Sequence, residues 1–120
     1  MKKIYIIILI LACFAVYANS FRGVFLSYDI GAIVENPLVE NKSPLFAHFT
    51  NITYHCIATV LVLFFLRLFF EPLASFLGAL LFAVHPIHTE AVTWICGQRY
   101  SILSIIVLAS FLLYQSAIKE

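Results

Sequence analysis

The chain has 120 residues, of which 63% are hydrophobic and only 11% are charged. Soluble domains are about 45–50% apolar and about 25% charged, so this composition argues against a soluble globular protein. A formal net charge of +1 gives no electrostatic reason to expect nucleic acid as a partner.

Four windows of the chain contain no Asp, Glu, Lys or Arg, and they are 18 to 24 residues long: 4–21, 43–66, 72–89 and 100–118. Since the hydrocarbon core of a bilayer is about 30 Å thick, roughly 17–25 helical residues cross it. We therefore predict an all-α integral membrane protein with about four transmembrane helices. The residues 1–120 form a single membrane region in this prediction, and membrane lipid is the expected surrounding partner.

The first predicted span covers about 4–21 and follows Lys2 and Lys3. A charged start before an apolar run is also typical of a signal peptide, for which Val16-Tyr17-Ala18 is the alternative cleavage site. We favour an uncleaved helix because further apolar spans follow. By the positive-inside rule, the two lysines then place the N-terminus in the cytoplasm.

A polar outer loop, about 22–47, follows the first span and contains Asp29. The predicted second span runs over about 48–67 and the third over about 72–84, where His85-Pro86 should end it because proline disfavours a helical residue before it.

A second outer loop, about 85–99, leads to the fourth span over about 100–118. Four spans return the chain to its starting side, and Lys119 stands at that end. We therefore predict that both termini are cytoplasmic, in a bacterial inner membrane rather than in the endoplasmic reticulum.

The predicted topology gathers polar residues at the outer ends of the spans. Polar groups near a bilayer are costly and tend to mark functional sites, although Asn51 and His55, which share a helix face, are also explained by hydrogen bonding between helices. His85, His88 and Glu90 could bind a divalent metal or steer a phosphate. The candidate set is Asp29, Asn51, His55, His85, His88, Glu90 and Arg99.

Four stretches, in order along the chain, carry a longer pattern. They are YANS at 17–20 with Phe25 and Tyr28-Asp29, VENPLV at 34–39, HFTN at 48–51 with His55, and LFAVHPIHTEAVTWI at 81–95. This pattern resembles the N-terminal region of GT-C glycosyltransferases known as transmembrane and tetratricopeptide-repeat proteins, which are similar to protein O-mannosyltransferases.

The resemblance implies a multi-spanning enzyme that transfers a sugar from a polyprenyl-phosphate donor to a protein hydroxyl. Asp29 matches the family's acidic residue in the first outer loop, which serves as the general base or as the sugar-transfer carboxylate. His85, His88 and Arg99 are then candidates for stabilising the leaving phosphate, and Glu90 for orienting a histidine or binding a metal. The resemblance does not decide whether a metal cofactor is used.

The chain departs from the family pattern in two places and in length. The family pairs two acids in the first loop, where Asp29 is followed by Ile30, and it places an acid soon after the arginine that matches Arg99. Family members also continue through further spans. We therefore expect a fragment or split form whose remaining spans come from a partner chain; the alternative is a non-catalytic membrane subunit or a degenerate remnant.

Overall fold

The computed structural model describes residues 3–25, 27–38 and 43–118, and every regular element in those ranges is helical. The predicted all-α fold is confirmed. Lys2 and Lys119, on which the predicted orientation depends, lie outside the described residues. In chain order the α-helices are α1 (Lys3–Tyr17), α2 (Ser27–Asp29), α3 (Pro44–Leu66), α4 (Pro72–Val84), α5 (Thr89–Thr93) and α6 (Gln98–Ile118). Short 3-10 or π-helical turns cover Ala18–Arg22, Ile30–Val34, Pro86–His88 and Ile95–Gly97.

The first predicted span is a helix in the structure. α1 continues into the 3-10 turn Ala18–Arg22, so the helical stretch Lys3–Arg22 has 20 residues and a mean hydropathy of 2.3. At about 1.5 Å of rise per residue, this stretch is close to 30 Å long, which matches the hydrocarbon thickness.

The second helix begins earlier than predicted. α3 starts at Pro44 rather than near His48, because Ser43 is extended and Pro44 occupies the first turn, where a missing backbone N–H costs nothing. It ends at Leu66, one residue before the predicted end, and its 23 residues are enough to cross a bilayer.

The third helix ends where proline predicts. α4 covers Pro72–Val84, and His85 has extended backbone angles of φ −67° and ψ 129°. The helical segment Pro86–Thr93 then continues at an angle of 44° to α4. The predicted outer loop 85–99 is therefore largely helical, and α6 already begins at Gln98.

The side-chain contacts give the direction of each helix. α1 runs antiparallel to α3, since Cys13 lies 3.6 Å from the Thr59 hydroxyl and the Tyr17 and His55 rings lie 5.2 Å apart. α4 runs parallel to α1, as its first half stacks Phe76 on Tyr5 at 4.5 Å between ring centroids.

α6 runs parallel to α3. Asn51, early in α3, bonds to Ile95 just before α6, and Phe65 near the end of α3 meets Phe111 at 5.1 Å. The four long helices therefore alternate in direction. Lys3 and Ile118 consequently lie at the same end of the bundle, as four crossings require.

Small residues allow the closest helix contacts. Ala79 and Ala83 of α4 are fully buried, and a Cβ atom on Gly78 would come within 2.7 Å of a Leu66 methyl group. Such residues let membrane helices approach closely. α6 is peripheral, because only 6% of its most apolar window is buried, against 39% for α3.

Three helical stretches are individually long and apolar enough to cross a membrane, and the bent pair Pro72–Val84 and Pro86–Thr93 passes together as a fourth. The longest dimension of the molecule is 48 Å, close to the full thickness of a bilayer with its headgroups. The chain is a multi-pass helical membrane protein.

Candidate polar site at one end of the bundle

The predicted polar residues lie at the end of the bundle opposite to Lys3 and Ile118. At this end, which we call the polar end, α1 finishes, α3 and α6 begin, and α4 bends into Pro86–Thr93. The contacts there form two groups. The first, the Asp29 cluster, consists of Asp29, His48, Cys96 and Arg99; the second, the histidine cluster, consists of Tyr17, His55, Phe82, His85 and His88.

Asp29 is the last residue of the short helix α2 and is only 1% exposed. The backbone N–H of Cys96 donates a hydrogen bond to its Oδ1 atom at 3.2 Å. A buried carboxylate requires such donors, because an unpaired charge away from water is costly. The first outer loop is thus joined to the turn Ile95–Gly97, 67 residues further along the chain.

His48 was not among the residues singled out from the sequence. Its ring is 2% exposed, lies within electrostatic range of Asp29 and packs against Gly23, where a Cβ atom would come within 2.7 Å of Nε2. Among the described residues, neither ring nitrogen has a hydrogen-bond partner of good geometry. The available signal was spacing, since His48, Asn51 and His55 share one helical face.

Arg99 is exposed at the start of α6 and lies among aromatic rings. Its guanidinium carbon is 5.2 Å from the Trp94 ring centre, 5.5 Å from Tyr100 and 5.9 Å from Tyr28. Cation–π attraction of this kind orients the charge without neutralising it. Since Tyr28 directly precedes Asp29, these rings keep a cation close to the buried carboxylate.

Asn51 holds the turn that carries Cys96. Its side-chain amide nitrogen lies 3.3, 2.8 and 3.2 Å from the backbone oxygens of Val92, Trp94 and Ile95. These carbonyl groups follow α5, where Trp94 is extended and the helical pattern is interrupted. Asn51 therefore acts in the structure as the supporting polar residue that connects α3 with this turn.

Gly97 completes the same turn by close backbone approach. A Cβ atom there would come within 2.8 Å of the Glu90 oxygen and 2.9 Å of the Ala91 oxygen. Any larger residue would push the turn away from α5. Glu90 itself is exposed and borders a shallow hollow with Ile87 and Tyr100.

The histidine cluster is built around the buried His55 ring. His55 Nε2 lies 3.1 Å from the Ala83 oxygen, and the ring packs against Tyr17 and His88 at 5.2 Å and against Phe82 at 5.6 Å. These contacts join α1, α3 and α4 to the segment that follows the bend.

His88 and His85 lie towards the surface of the same cluster. His88 is half-buried, with its ring centre 4.3 Å from that of Phe82, and the exposed His85 ring lies 6.5 Å from that of His88. His85 Nδ1 accepts a hydrogen bond from Ile87 N–H at 3.2 Å. The contacts of Arg99 involve different rings from those of His85 and His88.

A metal centre was one alternative from the sequence. Within the described ranges, no three His, Cys, Asp or Glu side chains converge in an arrangement that could hold a metal ion. The contacts of His85 and His88 described above are instead with aromatic rings and a backbone N–H.

Comparisons with known proteins confirm the resemblance seen in the sequence. The chain is 43% identical to protein O-mannosyl-transferase TMTC3 of Mus musculus over 79 residues, which are 66% of this chain and 9% of that protein. It is 34% identical to protein O-mannosyl-transferase TMTC1 of Homo sapiens over an alignment of 149 positions, which covers 87% of this chain and 17% of that protein.

A third relative is protein O-mannosyl-transferase Tmtc3 of Drosophila melanogaster, with 50% identity over 46 residues, 38% of this chain and 5% of that protein. The chain thus spans less than a fifth of the length of these relatives. No protein-family model matches it. No solved structure matches it significantly.

Proposed function

We propose that this chain, a relative of the transmembrane and tetratricopeptide-repeat protein O-mannosyl-transferases, takes part in sugar transfer at a membrane. The donor is a polyprenyl-phosphate sugar, and the acceptor is a hydroxyl group of a protein. The observation that carries the proposal is the buried Asp29 carboxylate, held by Cys96 N–H at the polar end of the bundle.

In the proposed step the acceptor hydroxyl oxygen forms a bond to the anomeric carbon of the sugar. The bond between that carbon and the phosphate oxygen breaks, and its electron pair leaves with the phosphate. Asp29 takes the proton of the hydroxyl group as general base. His48 can accept the proton next, since its buried ring nitrogens have no well-aligned hydrogen-bond partner among the described residues.

The leaving phosphate gains negative charge, which a nearby cation stabilises. Arg99 fits this role best, because its guanidinium group is exposed beside Tyr28 and Trp94 and close to the buried acid. His85 and His88 remain candidates for a second anion contact, with Glu90 orienting a histidine or binding a metal.

The remaining parts of the enzyme are expected on a partner chain, as a split form requires. The relatives named above are several times longer than this chain of 120 residues. A partner that supplies further spans would complete the site around Asp29 and Arg99. The relatives are animal proteins, and the prediction of a bacterial inner membrane with both termini in the cytoplasm has no support from them.

A non-catalytic membrane subunit is the second candidate, favoured by one observation. Asp29 is followed by Ile30 and Arg99 by Tyr100 and Ser101, so each lacks the neighbouring acid of the family pattern. In this alternative the Asp29 cluster would have a structural role only.

One pair of variants distinguishes the two candidates. Asp29→Asn keeps an oxygen that accepts the Cys96 N–H bond but removes the base, so sugar transfer should fall about 10²- to 10⁴-fold. Glu35→Gln, which removes an exposed acid of the same loop, is the matched control and should keep full activity. The assay measures transfer of labelled mannose from its polyprenyl phosphate in native membranes, where a partner chain is present. Unchanged transfer by Asp29→Asn would assign the chain to the non-catalytic class.

A further inference from the structure

A groove runs along the face of α3 that points away from the bundle core. Its lower part, a hollow of about 530 Å³, lies between α1 and α3 and is walled by Ile10, Phe14, Phe49, Ile57 and Val60. All of these side chains are apolar, and the hollow lies between two membrane-spanning helices.

Two further hollows continue the groove towards the polar end. Phe49 also lines the middle hollow, of about 400 Å³, together with Phe21 and Phe46. Phe46 in turn lines the upper hollow, of about 290 Å³, which Cys96 and Gln98 border on the other side. The shared phenylalanine walls make the three hollows neighbours along one path.

The spacing of the α3 residues explains why the path is straight. Phe46, Phe49, Thr53, Ile57 and Val60 recur every three or four positions, so they form one stripe on the helix. From Phe46 to Leu61, the last α3 residue of the lower hollow, the stripe extends about 22 Å at about 1.5 Å per residue.

The two threonines in the stripe leave it apolar. The hydroxyl groups of Thr50 and Thr53 each donate to the backbone oxygen four residues earlier, on Phe46 and Phe49, at 2.8 Å. These bonds satisfy the hydroxyl donors within the helix, as is common for threonine in membrane spans. A hydrocarbon chain in the groove would therefore meet no unpaired hydroxyl donor from these residues.

The upper hollow is the point where the groove reaches the candidate site. Cys96 borders the hollow and its backbone N–H binds Asp29, while Gln98 is followed directly by Arg99. The path thus begins among aliphatic side chains in the membrane and ends beside a carboxylate and a cation. A long single hydrocarbon chain with a small charged head has the same distribution of polarity.

We propose that this groove binds the isoprenoid chain of a polyprenyl phosphate, with the phosphate in or beside the upper hollow. The inference rests on the proposed function for the identity of the lipid, and on the three adjoining hollows for its position. The groove is a single track that ends at the Asp29 cluster. An isoprenoid donor fits this better than a phospholipid, which has two chains and no reason to end at a buried acid.

The test uses a polyprenyl phosphate that carries a diazirine in its chain but no sugar. The protein is reconstituted with it in phosphatidylcholine vesicles, irradiated, and the labelled residues are mapped by mass spectrometry. We expect labels on the α1 and α3 residues of the groove, and fewer on Ile106 and Val107, which are exposed on α6.

A groove-filling variant tests the same point by competition. Ile57→Trp should lower labelling of the groove about tenfold, which corresponds to about 1.4 kcal/mol of binding free energy. Val107→Trp, an equal change on the exposed face of α6, is the control and should leave labelling unchanged. Mapping of the labels in the unaltered protein does not depend on whether either variant folds.

Three results would overturn the proposal. The first is equal labelling of the groove by a diazirine phosphatidylcholine, and the second is equal labelling of Val107 and Ile57 by the polyprenyl probe. The third is crosslinking between copies of the chain at Ile57, which would make a second copy the occupant. Asp29→Asn should leave labelling intact, so the loss of sugar transfer in that variant is distinguishable from a failure of lipid binding.

Discussion

The two polar clusters at the same end of the bundle are held in different ways. The histidine cluster is carried by the long helices, with His55 of α3 bonded to the Ala83 oxygen and packed on Tyr17 of α1. The Asp29 cluster depends on short segments, since Asp29 lies on α2 and Cys96 in the turn before α6. Binding and catalytic groups are often carried by loops on a rigid scaffold, which is the arrangement of the second cluster.

This difference separates stability from activity. Changes in the histidine cluster should loosen the packing of α1, α3 and α4. Changes in the Asp29 cluster should affect sugar transfer more than unfolding. The following variants test that separation, from the largest expected effect on stability to the smallest.

His55→Ala should be the most destabilising of these changes. It removes a buried ring and the bond to the Ala83 oxygen, which we expect to cost about 2–4 kcal/mol in the free energy of unfolding. His85→Ala is the comparison, because that ring is exposed and loses only its bond to Ile87, a cost below about 1 kcal/mol. Thermal unfolding in detergent micelles measures both. Equal losses would show that the histidine cluster does not hold the helices together.

Gly97→Ala should disturb the turn that presents Cys96 to Asp29. The added methyl group would meet the Glu90 and Ala91 oxygens, and overpacking of this kind costs about 1–3 kcal/mol. Gly31→Ala is the matched control, since a Cβ atom on Gly31 has no neighbour within 4 Å. We expect lower stability and lower sugar transfer for Gly97→Ala only. A similar loss for both variants would point to backbone flexibility rather than close approach.

Asn51→Ala should release the same turn from α3. The backbone oxygens of Trp94 and Ile95 would lose a donor, at a cost of about 1–2 kcal/mol. Thr53→Ala, which removes an intrahelical hydroxyl from the other face of α3, should cost less than about 0.5 kcal/mol. The measurement is again thermal unfolding, paired with hydrogen exchange of the Cys96 amide. No faster exchange at Cys96 in Asn51→Ala would contradict the role of Asn51.

Arg99→Gln should have the smallest effect on stability. Loss of the cation–π contacts to Trp94, Tyr100 and Tyr28 at an exposed position should cost about 0.5–1 kcal/mol. Under the proposed function the same variant lowers sugar transfer strongly, whereas Arg99→Lys, which keeps the charge, retains part of it. Equal transfer by the Gln and Lys variants would remove Arg99 from the site.

Part of this arrangement was predictable because it depends on local features. The windows without charge mark the long helices, and proline marks the break after α4 at His85. The start of α3 was predicted too late, although Pro44 at the first helical turn was an available signal. The predicted gathering of polar residues at one end follows from alternating helix directions and is confirmed by the contacts.

The detailed pairing at the polar end was not predictable in the same way. His85 and His88 were grouped with Arg99 in the sequence, whereas the structure packs the two histidines with His55 and Phe82. His48 was overlooked because its importance depends on Gly23 and Asp29, which lie in a different segment of the chain.

The amino-acid sequence by itself determined the membrane-spanning helices, their alternation and the family to which the chain is related. These properties follow from hydropathy and proline geometry, which act within one segment at a time, and from motifs that can be read along the chain. Only the tertiary structure decided that Cys96 N–H meets Asp29 and that three hollows adjoin along α3. Such contacts join residues far apart in the chain, so they depend on how the helices pack.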